Sequence, residues 1–584
     1  MPDVSRDESD VSPPNDVTTS TSRSRVQPLQ AAAVLAAAVL LARFIGLLQR
    51  VVLNGLLPAE ANDAYTAAFR LPDIVNYLVA GGAMSVTFIP IFTQLKRGGH
   101  RGSGHRDGGD RGGEHRGDSS ANDAWHFFST VATLMSTALL ILIVLGMIWS
   151  HALVSWLLPG FTEPEKAETL SLTVSMTRIL LPAQFFFYLG GMIVGVLNAH
   201  KRFGASGLTG AVYNGVAILV GLLLWYLTGQ QYPQTFAWGI LIGAFCGNFM
   251  LPLLAARSGP RDERLRFTPR FNWRQPAVKR FFVNALPIML GVSLPVVDQW
   301  VIAYFGSWLH PGSLRNLDTG NRFMLAPLGV LAQAASVAAF PYLASNTAAE
   351  DWTRFSNFLR SGLRRLLFLA LPLSTLLILL AQPIMELFAF GEFQADHQAV
   401  HETSVAFAFY CVGLFAWAGQ QFVARGFYAM QDTRTPTIIG SLLTVFFFVP
   451  ICVLAIHSSQ PVLGLALATS IGAAAHFCGI WVALDIRMRQ RRYNAPLRSE
   501  RVLSSLLRTA TACLVMGLAG MLANAFAQSF LGDDRINHFL HIVIVTVVAT
   551  LAFAVSAHIF RVPEWEWLRD KILHRRKAAS RPAG

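Results

Sequence analysis

From Leu29 almost to the C-terminus, runs of roughly 20 apolar residues alternate with short polar breaks. About 20 helical residues rise about 30 Å, the thickness of a bilayer's hydrocarbon core. Each run is therefore predicted to be a membrane-spanning helix. One such run could be buried in a soluble core, but this chain has fourteen. They cover 29–55, 63–93, 124–150, 168–198, 206–228, 235–256, 278–306, 317–344, 361–388, 401–425, 436–456, 461–485, 503–529 and 537–560. Pro372 and Pro383 interrupt 361–388, read here as one span. Residues 1–27 are polar, rich in Ser, Asp, Thr and Pro, and are expected to be a disordered tail rather than a cleaved signal peptide. The fold class is an all-α polytopic membrane protein.

Composition agrees. Of 584 residues, 53% are hydrophobic and 14% charged, against about 25% charged in soluble domains. The net charge of +13 follows the topology. With the N-terminus inside, the cytoplasmic segments 94–123, 199–205, 257–280, 345–365, 425–434, 486–501 and 561–584 hold 35 Lys or Arg. The external loops hold Lys166, Arg315 and Arg535. Such asymmetry is the positive-inside rule, and it places both termini in the cytoplasm. Basicity so distributed argues against nucleic acid as a partner. The five cysteines all lie in apolar runs without metal-ligand spacing and read as small buried hydrophobes.

The chain reads as two related halves. Ser85-Val86-Thr87-Phe88-Ile89-Pro90 near the end of span 2 matches Ser336-Val337-Ala338-Ala339-Phe340-Pro341 near the end of span 8. Asn198-Ala199-His200 after span 4 matches Tyr428-Ala429-Met430 after span 10. Equivalent words lie six spans apart, so the halves share orientation. Pro90 to Ala199 is 109 residues and Pro341 to Ala429 is 88. The excess matches a Gly/His/Arg/Asp insertion over about 96–118, expected to be disordered and cytoplasmic. The layout is a tail (1–27), an N-terminal six-helix bundle (28–256), a basic linker (257–280), a C-terminal six-helix bundle (278–485), two added helices (486–560) and a basic tail (561–584).

Charges inside these spans are the candidate chemistry, because a charge at bilayer depth costs about 2.5–3.5 kcal/mol. Arg43 and Arg50 lie on nearly one face of span 1, Arg70 lies in span 2 after Asp63, and Arg322 lies in span 8 beside Asp318. The repeat puts Arg322 beside the equivalent of Arg70. Together they read as a cationic cavity between bundles, suited to an anion whose phosphate oxygens match guanidinium forks. The alternative is that Asp63, Asp318 or Asp298 pairs with them and they only join helices. Asp298 in span 7 is a counter-ion, the reading preferred, or a coupling-cation site. Arg178, just before Pro182, reads as structural. Pro182, Pro287, Pro295, Pro327 and Gly81-Gly82 permit bends.

Several words resemble the MurJ (MviN) lipid II flippase family, within the multidrug/oligosaccharidyl-lipid/polysaccharide exporter superfamily. They are Ala42-Arg43-Phe44-Ile45-Gly46, Asn62-Asp63-Ala64-Tyr65, Ala68-Phe69-Arg70-Leu71-Pro72, Gly82-Ala83-Met84-Ser85, Val196-Leu197-Asn198, Asn321-Arg322, and Arg425-Gly426-Phe427-Tyr428-Ala429 with Gln431-Asp432-Thr433-Arg434-Thr435-Pro436. The resemblance runs from about 30 to 560. It implies a flippase of the bacterial inner membrane with a cationic central cavity, and a hydrophobic groove for the lipid tail formed with spans 13 and 14. It matches Arg43 and Arg322 to family arginines and Asp63 to the acid at the outer end of span 2. Three positions depart: Gln49-Arg50 replaces an Arg-Asp pair, Asn76 an arginine, and Gly81-Gly82-Ala83 a Glu-Gly-Ala. The cavity is thus less charged than the family pattern.

The expected mechanism is alternating access without chemistry, the pyrophosphate binding near Arg43 and Arg322 while the polyprenyl tail stays near lipid. No cofactor is expected; the membrane potential can drive an anion outward, with sodium or proton coupling left open. Lipid-linked pyrophosphate and membrane lipids are the expected partners of a functional monomer. Rival readings are an exporter of another lipid-linked oligosaccharide and a membrane-embedded glycosyltransferase. The latter needs gathered carboxylates on a sizeable loop, which the short external loops mostly lack.

Overall fold

The computed structural model describes residues 20–80, 87–97, 115–200, 202–259, 264–291, 294–490, 492–497, 500–532 and 534–570. Every regular element among them is helical. Most of the 96–118 insertion, the Gly81-Gly82 pair and the ends of both tails lie outside these residues. The first helix, Ser20–Leu56, begins within the stretch read as a tail. The last residues of the insertion open the helix His115–Ile148.

Among the described residues, ten helices are long and apolar enough to cross a membrane, and a pair bent by 41°, His397–Val412 and Leu414–Ala429, makes eleven. These coincide with eleven of the fourteen predicted stretches. The other three, 63–93, 278–306 and 317–344, are broken into shorter helices. The first comprises Ala59–Ala68, Arg70–Ala80 and Ile89–Arg97. Its first break has a local cause: Pro72 has no N–H for the carbonyl of Ala68, and its ring crowds that carbonyl. The second is Pro276–Gly291 and Leu294–Gly306. The third is Ser313–Leu328, a π-turn over Gly329–Gln333, and Ala334–Ala348. A π-turn just after Pro327 fits the helix's need to rebuild its ladder there. The stretch 361–388 is two helices: Trp352–Leu379 runs through Pro372, and Ala381–Phe388 is separate.

Two large apolar cores divide the chain. One gathers residues such as Phe88, Phe127, Leu181 and Met192, and the other Phe323, Leu363, Phe407 and Leu465. The broken stretch 278–306 serves both. Val278, Phe281 and Ala285 join the first core, whereas Phe305 joins the second. In packing, the changeover falls within the stretch and not at its start. The helix Ser20–Leu56 also bridges the halves, packing on Phe203–Leu227 and on Ser313–Leu328. The last two long helices, Glu500–Phe530 and Arg535–Ile559, pack on each other and on Trp352–Leu379.

Candidate functional site

Between the halves lies a cavity of about 500 Å³ lined by Arg43, Arg50 and Arg322, together with Gln49, Tyr65 and Asn214. Among the described residues, no carboxylate lines it. The three cations differ in what they have left to offer. Arg43 gives one nitrogen, Nη1, to the carbonyl of Leu325 at 3.0 Å. Arg322 is 48% exposed and gives Nε to Asp318 Oδ2 at 2.6 Å. Each keeps most of its fork for the cavity. Arg50 is 2% exposed, and all three of its nitrogens are used. Nε donates to Thr319 Oγ1 at 2.9 Å, Nη1 to Thr66 Oγ1 at 3.1 Å and Nη2 to the carbonyl of Arg315 at 3.0 Å.

Arg43 needs the space that Gly329 leaves. A Cβ on Gly329 would fall 1.9 Å from Arg43 Nη1. Gly329→Ala is expected to push the guanidinium off Leu325 and weaken anion binding by about tenfold, the worth of one charge-assisted hydrogen bond. Titration of the purified variant with inorganic pyrophosphate checks this.

Asp318 is the hub. Besides Arg322 it lies 3.4 Å from Arg50 Nε and 3.9 Å from Arg70 Nη2. Arg70 itself faces a neighbouring chamber of about 190 Å³, which it lines with Asp298, Gln299 and Asn321. Its Nη1 donates to Gln299 Oε1 at 3.3 Å. Among the described residues, its buried Nε has no hydrogen-bond partner. Among the described residues, the expected pairing of Asp298 with a cavity arginine is not formed. Asp298 accepts from Thr444 Oγ1 at 3.2 Å and lines that chamber. Asn76 lies half-buried on the helix Arg70–Ala80.

Asp63 also differs from the ion-pair reading. Its carboxylate caps the helix Ser313–Leu328, accepting from the backbone N–H of Gly312 and of Arg315, both at 2.7 Å. Gly312 has φ +88°, a left-handed conformation that glycine adopts without strain. A carboxylate at a helix N-terminus satisfies orphan donors and the helix dipole together. Here the acid comes from the first half of the chain and the helix from the second. Asn54 adds a third tie, donating to Thr319 Oγ1 at 3.0 Å and accepting from Asn62 at 3.1 Å. Arg50, Asn54 and Asp63 therefore form a belt of cross-half hydrogen bonds.

Arg315, counted from sequence in an external loop, is buried within that helix. It pairs with Asp396 at 3.3 Å and lies over the ring of Phe393. Beside it, His310 Nε2 sits 3.4 Å from Glu402 Oε2, which also accepts from Asn316. The bond to Glu402 holds His310 above the ordinary imidazole value, outweighing partial burial, with Asp63 adding to the effect. A raised folded value means the contact stabilises fully below about pH 6.5 and is lost as pH rises through that value. His310 is half exposed, so the effect is under about 1 kcal/mol. Thermal unfolding between pH 6 and 8 is expected to show this loss in the wild type and to flatten in Glu402→Gln.

A second, apolar groove of about 750 Å³ has Pro327 in its lining, the residue next to Ala326 of the cavity's lining on the same helix. It is lined by residues of spans 8, 9 and 10. Among the described residues beyond 486, Trp567 and Leu568 line it, and the two long helices before them pack on Trp352–Leu379.

The most specific family word is structural. Asp432 Oδ1 accepts from the backbone N–H of Arg434 at 3.1 Å and of Thr435 at 3.0 Å, and its carboxylate pairs with Arg487. It caps the turn into the helix Arg434–Leu443. Arg178, donating to Ser150 Oγ at 2.7 Å, is likewise a helix tie. Sequence reading missed Asn54, Thr66, Thr319 and Arg315. The available signal was polar residues recurring at helical spacing where spans 1, 2 and 8 should be apolar.

This architecture is that of a polytopic membrane transporter. It superposes on an inward-facing multidrug resistance MATE family transporter of the MOP superfamily with TM-score 0.61 at 15% identity, covering 77% of this chain and 94% of that one. It superposes on a lipid II flippase MurJ in an inward closed conformation with TM-score 0.68 at 20% identity, covering 90% and 98%. A probable lipid II flippase MurJ of Vibrio cholerae is 25% identical over 472 residues, 79% of this chain and 83% of that protein. The lipid II flippase MurJ family profile matches residues 58–539. The chain belongs to the lipid II flippase MurJ family.

Proposed function

We propose that this protein is a lipid flippase that moves the undecaprenyl-pyrophosphate-linked peptidoglycan precursor, lipid II, from the inner to the outer leaflet of the bacterial cytoplasmic membrane. The observation that carries the reading is the junction of two environments. A cavity with Arg43 and Arg322, and no acid among its described lining residues, and an apolar groove take adjacent residues of one helix, Ala326 and Pro327, into their linings. A lipid-linked pyrophosphate has the same two parts. A drug-cation exporter would need acids where these arginines stand.

Transport is by alternating access. The headgroup enters from the cytoplasm, its pyrophosphate meets Arg43 and Arg322, and the prenyl tail stays in apolar surroundings. The belt of Arg50, Asn54 and Asp63 closes the outward side and must part for release. An inside-negative potential assists an anion's exit by about 2.3 kcal/mol per charge per 100 mV. Both termini are cytoplasmic, the protein acts as a monomer, and Asp298 with Thr444 offers a place for a coupling cation.

Complementation tests this. In a bacterium depleted of its own flippase, the wild-type chain is expected to restore growth, and Arg43→Ala or Arg322→Ala at equal membrane levels is not. Equal rescue by both variants would remove the proposed site. Failure of a correctly inserted wild type would point to another lipid-linked oligosaccharide.

A further inference from the structure

The apolar groove carries one charged lining residue, Arg365, in the first turn or so of the apolar stretch 361–388. Its neighbour Arg364 has a different task. After the helix Arg535–Ile559 the chain turns at Arg561, and residues 563–570 form a short helix. Glu564 of this segment is 3% exposed. Its carboxylate lies 3.2 Å from Arg364 Nε and accepts from Ser505 Oγ. Val562, fully buried, packs with Phe368, Met516 and Phe553. The segment is thus anchored against the start of the groove by an ion pair that uses Arg364 and leaves Arg365 without a carboxylate.

What Arg365 has instead is a ring. Its guanidinium carbon lies 4.4 Å from the ring centre of Trp567, which also lines the groove. Among the described residues it makes no ion pair. The remaining lining is chiefly apolar, including Leu331, Phe358, Leu366 and Leu373. A prenyl chain lying among such residues ends in phosphate, and a guanidinium fork matches phosphate oxygens better than it matches an aromatic face.

We propose that Arg365 is a phosphate-binding residue at the cytoplasmic mouth of the groove, where Trp567 covers it until a prenyl-phosphate lipid takes its place. This deepens the flippase reading and rests on it. Arg365 would receive the substrate's phosphate before the cavity's Arg43 and Arg322 do, while the tail settles in the groove.

The test titrates the detergent-solubilised full-length protein with undecaprenyl phosphate, undecaprenol and inorganic pyrophosphate, reading bound ligand by native mass spectrometry. Arg365→Gln is expected to weaken undecaprenyl phosphate by about tenfold and Arg365→Lys by about threefold or less, leaving the other two probes unchanged. Trp567→Leu keeps an apolar lining but uncovers the guanidinium, and is expected to tighten undecaprenyl phosphate. Unchanged affinity in Arg365→Gln overturns the proposal. So does equal weakening of undecaprenol, which would mean a damaged groove, or of pyrophosphate, which would mean a free-phosphate site. An Arg43→Ala/Arg322→Ala double variant that still binds pyrophosphate would sink the cavity reading while leaving the Arg365 result to stand or fall by itself.

Discussion

Asp318→Ala is expected to be the most damaging single substitution in the site, unfolding the protein at lower temperature and abolishing transport. Its carboxylate is 12% exposed and faces Arg322, Arg50 and Arg70. Removing one partner from a buried ionic group leaves uncompensated charge and costs about 3–5 kcal/mol. Here three cations would be left facing one another. Asp318→Asn keeps an acceptor for Arg322 Nε and is expected to fall between. Arg322→Ala should behave differently, because that side chain is half exposed; it should melt close to wild type yet lose anion binding. Thermal unfolding and pyrophosphate titration of the three purified variants separate the roles. A melting temperature for Asp318→Ala equal to that of the wild type would show that the hub does not hold the cluster.

The second large effect is conformational. Asp63→Ala removes two buried 2.7 Å bonds to the start of the helix Ser313–Leu328. Loss of a helix cap costs about 0.5–2 kcal/mol, and each N–H left buried and unpaired about 1–3 kcal/mol. Parting the halves lets water satisfy those groups, so the penalty falls on the closed state alone. A shift of about 2 kcal/mol changes the closed-to-open ratio by about 30-fold. Spin labels at the exposed positions Glu60 and Pro311, in a background lacking the native cysteines, would report it. A new long-distance population is expected in Asp63→Ala and a smaller one in Asp63→Asn. An unaltered distance distribution would show that this cap does not latch the halves.

The cavity's charges were legible because a membrane makes charge conspicuous. Arg43 and Arg322 stood out from sequence by lying within apolar runs, and the structure places both on one cavity. Arg50 stood out equally but is bound at every nitrogen. Nothing in its flanking residues distinguishes it from Arg43, since its partners Thr66, Thr319 and Arg315 come from two other helices. Arg70 and Asp298 share a smaller chamber instead. Asp63 was read as an acid seeking a cation, yet its partners are backbone donors 249 and 252 residues away. No local pattern announces which helix end a carboxylate will meet.

The sequence by itself determined the helical class, the segments that cross or approach the membrane, and the family. Periodic apolarity and the bias of Lys and Arg are local properties, and the bilayer acts on them one segment at a time. It also singled out the intramembrane arginines as a group, since an ionisable residue at that depth needs an unusual setting wherever it ends up. Only the tertiary structure decided what each one does. Which cation is spent on a hydrogen bond, which acid caps a helix and where the changeover within 278–306 falls all depend on contacts between distant segments. Those contacts are chosen by packing and hydrogen bonding across the two halves.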